Sequence, residues 1–227
     1  GFTALGRASR QAFLPADRQA YHKRTTPDLL HEQCLWETGF LHIGGIDEAG
    51  RGALAGPVSA AVVILPPDIK IASQLHGVRD SKQMTPRQRS LWAEVIYRLA
   101  LAWGVGFASA QEIDTAGIVP ATRLAALRAM QMLAQPPQHL LIDFLLLPDC
   151  ALPQTALVKG DCRSLSIAAA SVLAKTARDQ QMIELDQQYP GYGLGVHKGY
   201  GTSLHLQALQ RLGPSPIHRL SFRRSHP

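Results

Sequence analysis

The sequence lacks the features that mark membrane-spanning and secreted proteins. It has no apolar run near the roughly 20 residues that are needed to cross a bilayer. Its first residues contain no apolar core of the kind found in signal peptides. We therefore expect a protein with no membrane association and no secretory leader.

Cysteine is also scarce. The three cysteines, Cys34, Cys150 and Cys162, form an odd set in which no pair has the close spacing of a zinc knuckle. We interpret them as free thiols in a reducing compartment, and we therefore expect the protein to be cytoplasmic.

Charged residues are few, and most of them are basic. They make up 18% of the 227 residues against 46% hydrophobic residues, which excludes a disordered or fibrous chain and suits one domain with an ample core. The 17 acidic residues are outnumbered by 23 lysines and arginines, so the net charge is +6. An excess of basic charge favours a polyanionic partner such as nucleic acid.

The basic residues cluster near both ends of the chain, at 7–24 and at 211–224. Residues 1–27 show no apolar periodicity, so we predict that they form a basic, loosely ordered N-terminal extension. A solvated tail without a nucleic-acid role would explain the N-terminal cluster equally well.

Apolar periodicity predicts strands and helices that are interleaved along the chain. The strand-like segments are 41–47, 57–65, 103–109, 139–147 and 155–161. The helix-like segments are 28–38, 85–101, 121–134, 164–188 and 202–213. Because a short turn joins the first two strands, this order favours an α/β fold with a mixed sheet and helices on its faces.

Acidic residues interrupt or end three of the predicted strands. Asp47 and Glu48 follow the apolar run 41–46, Asp143 lies inside 140–147, and Asp161 ends 156–161. A carboxylate in such a place costs several kcal/mol unless it is paired or bound to a metal. A buried ion pair or a turn explains any one of them best, but all three together favour a shared pocket. Its oxygens would select Mg²⁺ or Mn²⁺, and two such ions hydrolyse phosphodiesters.

Neighbouring strand residues point to opposite faces, so Asp47 and Glu48 can share a site only if the strand ends there and the chain bends. The glycine loop, Gly50-Arg51-Gly52, follows directly and permits such a bend. Glycines let backbone N–H groups approach a ligand, and Arg51 can donate two hydrogen bonds to a phosphate. A plain turn is the commoner reading of this tripeptide, but beside two carboxylates it predicts a phosphodiester-binding loop.

Three histidines lie far from these acids in the sequence. We predict that His197, His205 and His218 occupy loops or helix surfaces rather than a metal site, because none of them has metal-ligand spacing to the acids.

Ordered sequence blocks carry a resemblance to a known family. GIDEAGRGALAGPV at 45–58 resembles the opening motif of the ribonuclease HII (type 2 ribonuclease H) family. The further matching blocks are DSKQMTPRQR at 80–89, LLIDF at 140–144, KGD at 159–161, ASVLAKTARD at 170–179, HKGYGTSLH at 197–205 and GPSPIHRLSF at 213–222. The blocks occur in the family's order over nearly the whole chain, which makes coincidence implausible.

The resemblance implies a ribonuclease H-like fold with a five-stranded mixed sheet flanked by helices. It places the catalytic domain at 28–227, including a small helical, substrate-binding part at about 189–227. It implies an endonuclease that cuts the RNA-containing strand of RNA–DNA duplexes, including single ribonucleotides in DNA, and leaves 5′-phosphate and 3′-hydroxyl ends. Two Mg²⁺ or Mn²⁺ ions would be held by Asp47, Glu48, Asp143 and Asp161.

The resemblance also implies roles in substrate binding. Gly50, Arg51 and Gly52 would contact the ribonucleotide and sense its 2′-hydroxyl, which distinguishes RNA from DNA. Tyr200 matches the family tyrosine that packs on the deoxyribose after the ribonucleotide. The positions expected near backbone phosphates are Lys82, Ser171 and Lys175. We expect a monomer, with replication or repair proteins as partners.

Two positions depart from the family pattern without removing a catalytic group. Phe144 follows the third acid where the family usually has glycine, and we expect it to narrow the site or shift the metal spacing. Ala53 replaces the usual proline, which leaves the glycine loop less rigid.

Two other functions remain as alternatives. Another nuclease of the same fold would cut duplexes that contain no ribonucleotide. A non-catalytic module that binds RNA–DNA hybrids would need no divalent metal and would tolerate a change of Asp143.

Overall fold

The computed structural model describes residues 26–225, with side chains described through residue 222. The predicted N-terminal extension lies outside the described residues, apart from its last two positions. The strands are β1 (Ile43–Ala49), β2 (Val58–Ile64), β3 (Ala102–Ala108), β4 (His139–Asp143) and β5 (Gln154–Leu157). The helices are α1 (Leu30–Glu37), α2 (Ile71–Gln74), α3 (Pro86–Leu99), α4 (Ala110–Ala116), α5 (Ile118–Gln131), α6 (Leu165–Gln188), α7 (Leu194–His197) and α8 (Ser203–Leu212). Short 3-10 helices cover Ser81–Gln83, Gly160–Cys162 and Leu220–Ser225.

The strands form one sheet in the order β3-β2-β1-β4-β5. β2 pairs antiparallel with β1 and β3, whereas β4 pairs parallel with β1 and β5. The predicted five-stranded mixed sheet is therefore confirmed. In the β1–β4 ladder Ile46 lies opposite Ile142, so the residues that follow them, Asp47 and Asp143, come level at one edge of the sheet.

Helices cover both faces of this sheet. α6 and α3 enclose one apolar core against β1 and β2, and α5 encloses a second core against β2 and β3. Glycines allow the close approach on both sides. A Cβ added at Gly45 would lie 2.2 Å from the carbonyl carbon of Ser166 in α6, and one at Gly106 would lie 2.2 Å from the Ala125 oxygen in α5.

Local capping explains why the two helices on the α6 face begin where they do. At α3, Thr85 and Gln88 form a reciprocal capping box, and Pro86 takes the first helical position. At α6, Ser164 accepts from the Ile167 N–H at 3.2 Å. The buried side chain of Glu32 accepts from the Ser166 N–H at 2.9 Å, so it provides a partner for one of the free N–H groups at the start of this 24-residue helix.

The second half of α6 supports a small C-terminal lobe, formed by residues 189–222. α7 and α8 pack there around Met182, Tyr192, Leu194 and Ala208. None of the helices in residues 26–225 combines the length and apolar character needed for a membrane span.

Three strand boundaries differ from the sequence prediction. β1 does not end at Asp47 but stays paired through Ala49, which lies opposite Ser59. β4 ends at Asp143, where Phe144 takes a positive φ of 63° and leaves the ladder. β5 ends at Leu157, so Asp161 lies in a 3-10 turn rather than at a strand end. The apolar run ends before pairing does in β1 and continues past it in β4, so the apolar pattern alone does not show where pairing stops. The short helices α2, α4 and α7 were not predicted.

Candidate active site at the edge of the central strands

Three of the four predicted acids meet at one point of the structure. Asp47 lies in β1, Asp143 ends the adjacent parallel strand β4, and Asp161 lies in the turn after β5. Each offers a carboxylate oxygen, and these oxygens all lie within 4.8 Å of one another. The turn is held in place because the Gly160 N–H donates to Asp143 Oδ1 at 2.9 Å.

The electrostatics of this carboxylate cluster, Asp47, Asp143 and Asp161, are unfavourable in the absence of a cation. Burial, together with the charges of Glu48 and Asp143, raises the pKa of Asp47 well above its usual value, although Ser171 donates a hydrogen bond to it. Burial and the charges of Asp80 and Asp143 raise the pKa of Asp161 to about 6. Groups that resist ionisation for these reasons are stabilised as anions by a bound cation.

Glu48 lies on the other face of β1. Asp47 faces α6, where Ser171 bonds to it, whereas Glu48 borders a small cavity beside Thr122 of α5. Its Oε1 accepts from Arg51 Nη1 at 3.0 Å. The expected bend between Asp47 and Glu48 is absent because β1 runs on through Ala49, so the structure does not bring Glu48 into the carboxylate cluster.

Glu48 is nevertheless coupled to that cluster through its charge. Burial raises its pKa, the bond and charge of Arg51 lower it, and the charge of Asp143 raises it further. Lys82 acts in the opposite direction.

Lys82 provides positive charge beside the acids. Burial lowers its pKa, but the charges of Asp80, Asp161, Asp47 and Asp143 outweigh burial and raise it overall. The turn that carries it is tied to α6, because Ser171 Oγ lies 3.0 Å from Ser81 Oγ. One α-helical turn further along α6, Lys175 donates to Asp179 at 2.6 Å.

Two buried arginines hold the glycine loop and the residues after it by their main-chain oxygens. Arg178 of α6 donates to Pro57 O at 2.9 Å, Ala55 O at 3.2 Å and Lys198 O at 3.0 Å. Arg219 donates to Arg51 O at 2.8 Å and Gly56 O at 3.0 Å. Their exposed fractions are 0% and 1%, so these guanidinium groups act inside the protein rather than on nucleic acid.

Sequence reasoning missed both arginines as parts of the site. Arg178 lies within a matching block that predicts no role for it, and Arg219 belongs to the basic cluster at 211–224. No signal in the local pattern separates a buried arginine from a surface one, because its partners are carbonyls 121 and 168 positions away.

The turn that carries Tyr200 lies directly against this region. The Gly199 oxygen accepts from the N–H groups of Leu54 and Ala55, at 2.8 and 3.2 Å. The cationic atoms of Lys175 and Arg178 lie 5.5 and 5.4 Å from the centre of the half-buried Tyr200 ring. The structure therefore brings a glycine loop, an aromatic ring and the Lys175 ammonium to one region next to the acids, with the buried Arg178 guanidinium behind the ring.

The prediction that the three histidines lie on the surface was wrong. His197, His205 and His218 are 8%, 0% and 4% exposed, and they pack together in the core of the C-terminal lobe. Their hydrogen bonds to main-chain atoms and to one another replace the water that a surface histidine would bind.

The two departures from the family pattern have local consequences. Phe144 adopts φ 63° and is 66% exposed, so its ring points to solvent rather than filling the space between the acids. Ala53 is fully buried, and its N–H donates to Gly50 O at 3.3 Å. A proline has no N–H and could not make this hydrogen bond. Here the bond closes the turn, whereas in the family pattern the proline ring would restrict it.

The sheet order, the helices on both faces and the acids on adjacent central strands define a ribonuclease H-like fold. The chain belongs to the ribonuclease HII family, whose sequence model matches residues 44–225. It is 54% identical over 200 residues to the ribonuclease HII of Synechococcus sp. (strain JA-3-3Ab), covering 88% of this chain and 90% of the relative. It is 49% identical over 225 residues to the ribonuclease HII of Myxococcus xanthus (strain DK1622), covering 98% and 74%.

A solved structure agrees with this assignment. The crystal structure of the ribonuclease H2 from Pyrococcus horikoshii OT3 matches with a TM-score of 0.65 and 26% identity, over 79% of this chain and 93% of that one. The chain is thus an endonuclease with ribonuclease H activity, and nucleic acid is its substrate. The acidic residues of its site fit the divalent metal that such an enzyme needs.

Proposed function

We propose that this enzyme hydrolyses the RNA-containing strand of RNA–DNA duplexes, including single ribonucleotides embedded in DNA, with two Mg²⁺ or Mn²⁺ ions. The observation that carries the proposal is the meeting of Asp47, Asp143 and Asp161 oxygens within 4.8 Å. All of these donors are carboxylates, which are the ligands that hard divalent cations prefer. When bound, such ions activate a water and stabilise the leaving 3′-oxygen, which leaves 5′-phosphate and 3′-hydroxyl ends.

Glu48 is the fourth proposed metal ligand, and it is the one that must move. Its ion pair with Arg51 is exposed on the arginine side, where the Arg51 side chain is 36% accessible. A substrate phosphate can take over the Arg51 guanidinium by two hydrogen bonds, and this would release the Glu48 carboxylate towards Asp143. Substrate binding and completion of the ligand set would then be one event.

The glycine loop, Gly50, Arg51 and Gly52, is proposed to recognise the ribonucleotide. Apart from its chain neighbours, no residue that the structure describes places an atom within 4 Å of a Cβ built on Gly52, so this residue leaves space for a sugar to approach the backbone. Tyr200 would pack on the next deoxyribose, and its place beside Lys175 puts positive charge near the phosphate of that step.

Lys82 and Lys175 are proposed to contact backbone phosphates. Each carries its charge close to acids, Lys82 beside Asp80 and Lys175 on Asp179, so an incoming phosphate competes with those carboxylates. Ser171 would act indirectly in addition, because it donates to Asp47 and bonds to Ser81 beside Lys82.

We also infer how the chain is organised. The catalytic domain comprises 28–227, its part from about residue 189 binds substrate, and residues 1–27 form a basic extension. We expect a monomer in the cytoplasm that acts with replication and repair proteins. The three cysteines are free thiols in the structure, which is consistent with a reducing compartment.

The experiment that tests the proposal is cleavage of a labelled DNA duplex with one ribonucleotide, in Mg²⁺ or Mn²⁺. The wild type should nick on the 5′ side of the ribonucleotide, and Asp143→Asn should abolish the nick while still binding the duplex. Cutting of duplexes without ribonucleotides would indicate another nuclease of this fold. Binding without cutting in either metal would indicate a hybrid-binding module.

A further inference from the structure

An exposed apolar surface adjoins the carboxylate cluster on the side away from the glycine loop. Phe144 and Val158 directly follow Asp143 and Leu157, which are paired in the β4–β5 ladder. The Phe144 N–H donates to the Leu157 oxygen at 3.2 Å, so the two segments remain side by side as they leave the sheet. The exposed fractions of Phe144 and Val158 are 66% and 53%. Two apolar side chains therefore face solvent next to Asp143.

Phe144 does not contribute to the fold in the way that an apolar residue usually does. Its backbone holds a positive φ of 63°, a conformation that glycine adopts without strain and that a residue with a side chain does not. Its ring belongs to none of the apolar clusters that the described residues form. The family usually has glycine at this position. Because backbone strain concentrates at functional sites, a strained residue with an exposed ring beside the acids points to a role in binding.

A positive charge adjoins the same surface. Lys159 follows Val158, is exposed, and also holds a positive φ, of 54°. Lys82 and Lys175 lie beside acids, whereas no salt bridge between described residues involves Lys159. A nucleotide matches both features of this surface, because its sugar presents C–H groups and its phosphate is an anion of the kind that lysine contacts.

The sheet order places this surface relative to the cut. The glycine loop joins β1 to β2, Asp47 and Asp143 lie on β1 and β4, and the segments that follow β4 and β5 lie beyond them. Tyr200 lies on the glycine-loop side, because the Gly199 oxygen bonds to the main chain just after that loop. In the proposed function the scissile phosphate lies at the acids, the ribonucleotide at the glycine loop and the next deoxyribose at Tyr200. The nucleotide on the 5′ side of the cut then lies towards Phe144.

We propose that Phe144, together with Val158, packs on the sugar of the nucleotide on the 5′ side of the cut and favours deoxyribose there. The inference rests on the proposed function, which sets the direction of the strand. A ribose at this position would bring its 2′-hydroxyl against an apolar surface and lose hydrogen bonds to water, whereas the CH₂ group of deoxyribose would not. Phe144 thus selects the junction at which DNA is followed by RNA, and Tyr200 selects the junction at which RNA is followed by DNA. A single ribonucleotide in DNA presents both.

The readout compares two DNA duplexes, one with a single ribonucleotide and one with two consecutive ribonucleotides. Product length identifies the cut before the last ribonucleotide, where the preceding sugar is deoxyribose in the first duplex and ribose in the second. The junction ratio is kcat/KM for this cut on the first duplex divided by kcat/KM on the second, from initial rates. It should be about five times as high in the wild type as in Phe144→Gly. Any effect of the 2′-hydroxyl on the leaving 3′-oxygen is common to both proteins and cancels in this comparison.

Variants separate the ring from other effects. Phe144→Gly removes the ring and relieves the positive φ, so it should fold. It should raise KM on the first duplex and leave kcat unchanged, because a contact made equally in the ground and transition states affects KM alone. Phe144→Leu keeps an apolar side chain and should give an intermediate junction ratio. Trp103→Leu is the matched control and should keep the wild-type ratio, because Trp103 is also a partly exposed aromatic residue but lies in β3 at the opposite edge of the sheet.

The outcomes distinguish this inference from the proposed function. If the wild type cuts neither duplex, the proposed function fails, and this inference fails with it. If the wild type cuts the first duplex but Phe144→Gly keeps the wild-type junction ratio, Phe144 does not select deoxyribose and this inference alone is overturned. It is also overturned if Phe144→Gly lowers kcat equally on both duplexes and changes the rate in Mg²⁺ relative to Mn²⁺, since Phe144 would then act on the metal site.

Discussion

Gly50 and Arg178 are in direct contact: a Cβ on the glycine would fall 1.9 Å from the guanidinium Nε. The guanidinium has no room to retreat, because Arg178 is fully buried and bonded to three main-chain oxygens. The glycine at this position is therefore required by the protein itself as well as by any ligand.

The first prediction concerns the two glycines of the loop. Gly50→Ala combines a φ of +89° with the clash on Arg178, and we expect it to lower the free energy of unfolding by about 2–4 kcal/mol. Gly52→Ala meets no atom within 4 Å from the described residues beyond its chain neighbours, and it should fold normally. Urea denaturation measures both. If Gly52→Ala folds but cuts slowly, its Cβ obstructs the substrate, whereas unimpaired cutting would argue against close approach there.

The second prediction concerns the pH dependence of the metal-free protein. The pKa of Asp161 is raised to about 6 in the folded chain. A carboxyl with a raised folded-state pKa contributes stability at pH below its unfolded value near 4, and this contribution is lost as the pH rises through 6. Asparagine cannot ionise, so Asp161→Asn does not lose stability as the pH rises. With chelator at pH 7.5 this variant should melt roughly 2–6 °C above the wild type.

Two controls accompany that measurement. The difference between Asp161→Asn and wild type should shrink below about pH 5, where the wild-type carboxyl is protonated. Mg²⁺ at neutral pH should raise the melting temperature of the wild type more than that of the variant. If the melting temperatures of the two proteins changed with pH in parallel, the neighbouring acids would not destabilise the ionised Asp161.

The third prediction is that Phe144→Gly stabilises the protein. Phe144 holds a positive φ of 63°, which costs a residue with a side chain about 1 kcal/mol or more, and its exposed ring buries little. We expect a gain of about 0.5–1 kcal/mol in urea denaturation. Leu146→Gly is the matched control, because Leu146 is also partly exposed but has no positive φ, and it should destabilise.

The fourth prediction concerns Arg178. The Arg178 guanidinium donates to three main-chain oxygens from three different nitrogens, and the single ammonium of lysine can replace only one of these hydrogen bonds. Arg178→Lys should therefore cost about 2–4 kcal/mol of stability. Arg128→Lys, at a half-exposed arginine, should cost less than about 1 kcal/mol. Equal losses of stability in the two variants would show that the hydrogen bonds from Arg178 to main-chain oxygens do not stabilise the fold.

Much of this architecture could be predicted because it is local. The helical patterns over 85–101 and 164–188 depend on residues a few positions apart, and both helices occur close to the predicted bounds. The acids were conspicuous because each interrupts an apolar run, and strand pairing then brings Asp47 level with Asp143.

The remainder depends on partners that are distant in the sequence. β2 pairs with β1 through Ala49, so the strand stays extended and Glu48 points to the face opposite Asp47. The glycines of the loop that follows predict a bend at this point instead. The local sequence predicts His205 and His218 at the surface. In the folded lobe they are buried and hydrogen-bond to each other across 13 positions. Buried polar side chains of this kind are recognisable only when their partners are known.

The bond from Arg219 to the Arg51 oxygen, across 168 residues, has a consequence for synthesis. Chains are made from the N-terminus, so the glycine loop emerges from the ribosome long before the arginine that holds it. A nascent chain that already contains Asp47, Asp143 and Asp161 therefore still lacks one of the two arginines that hold the loop and the residues after it. This hydrogen bond can form only after nearly all of the described chain has been translated.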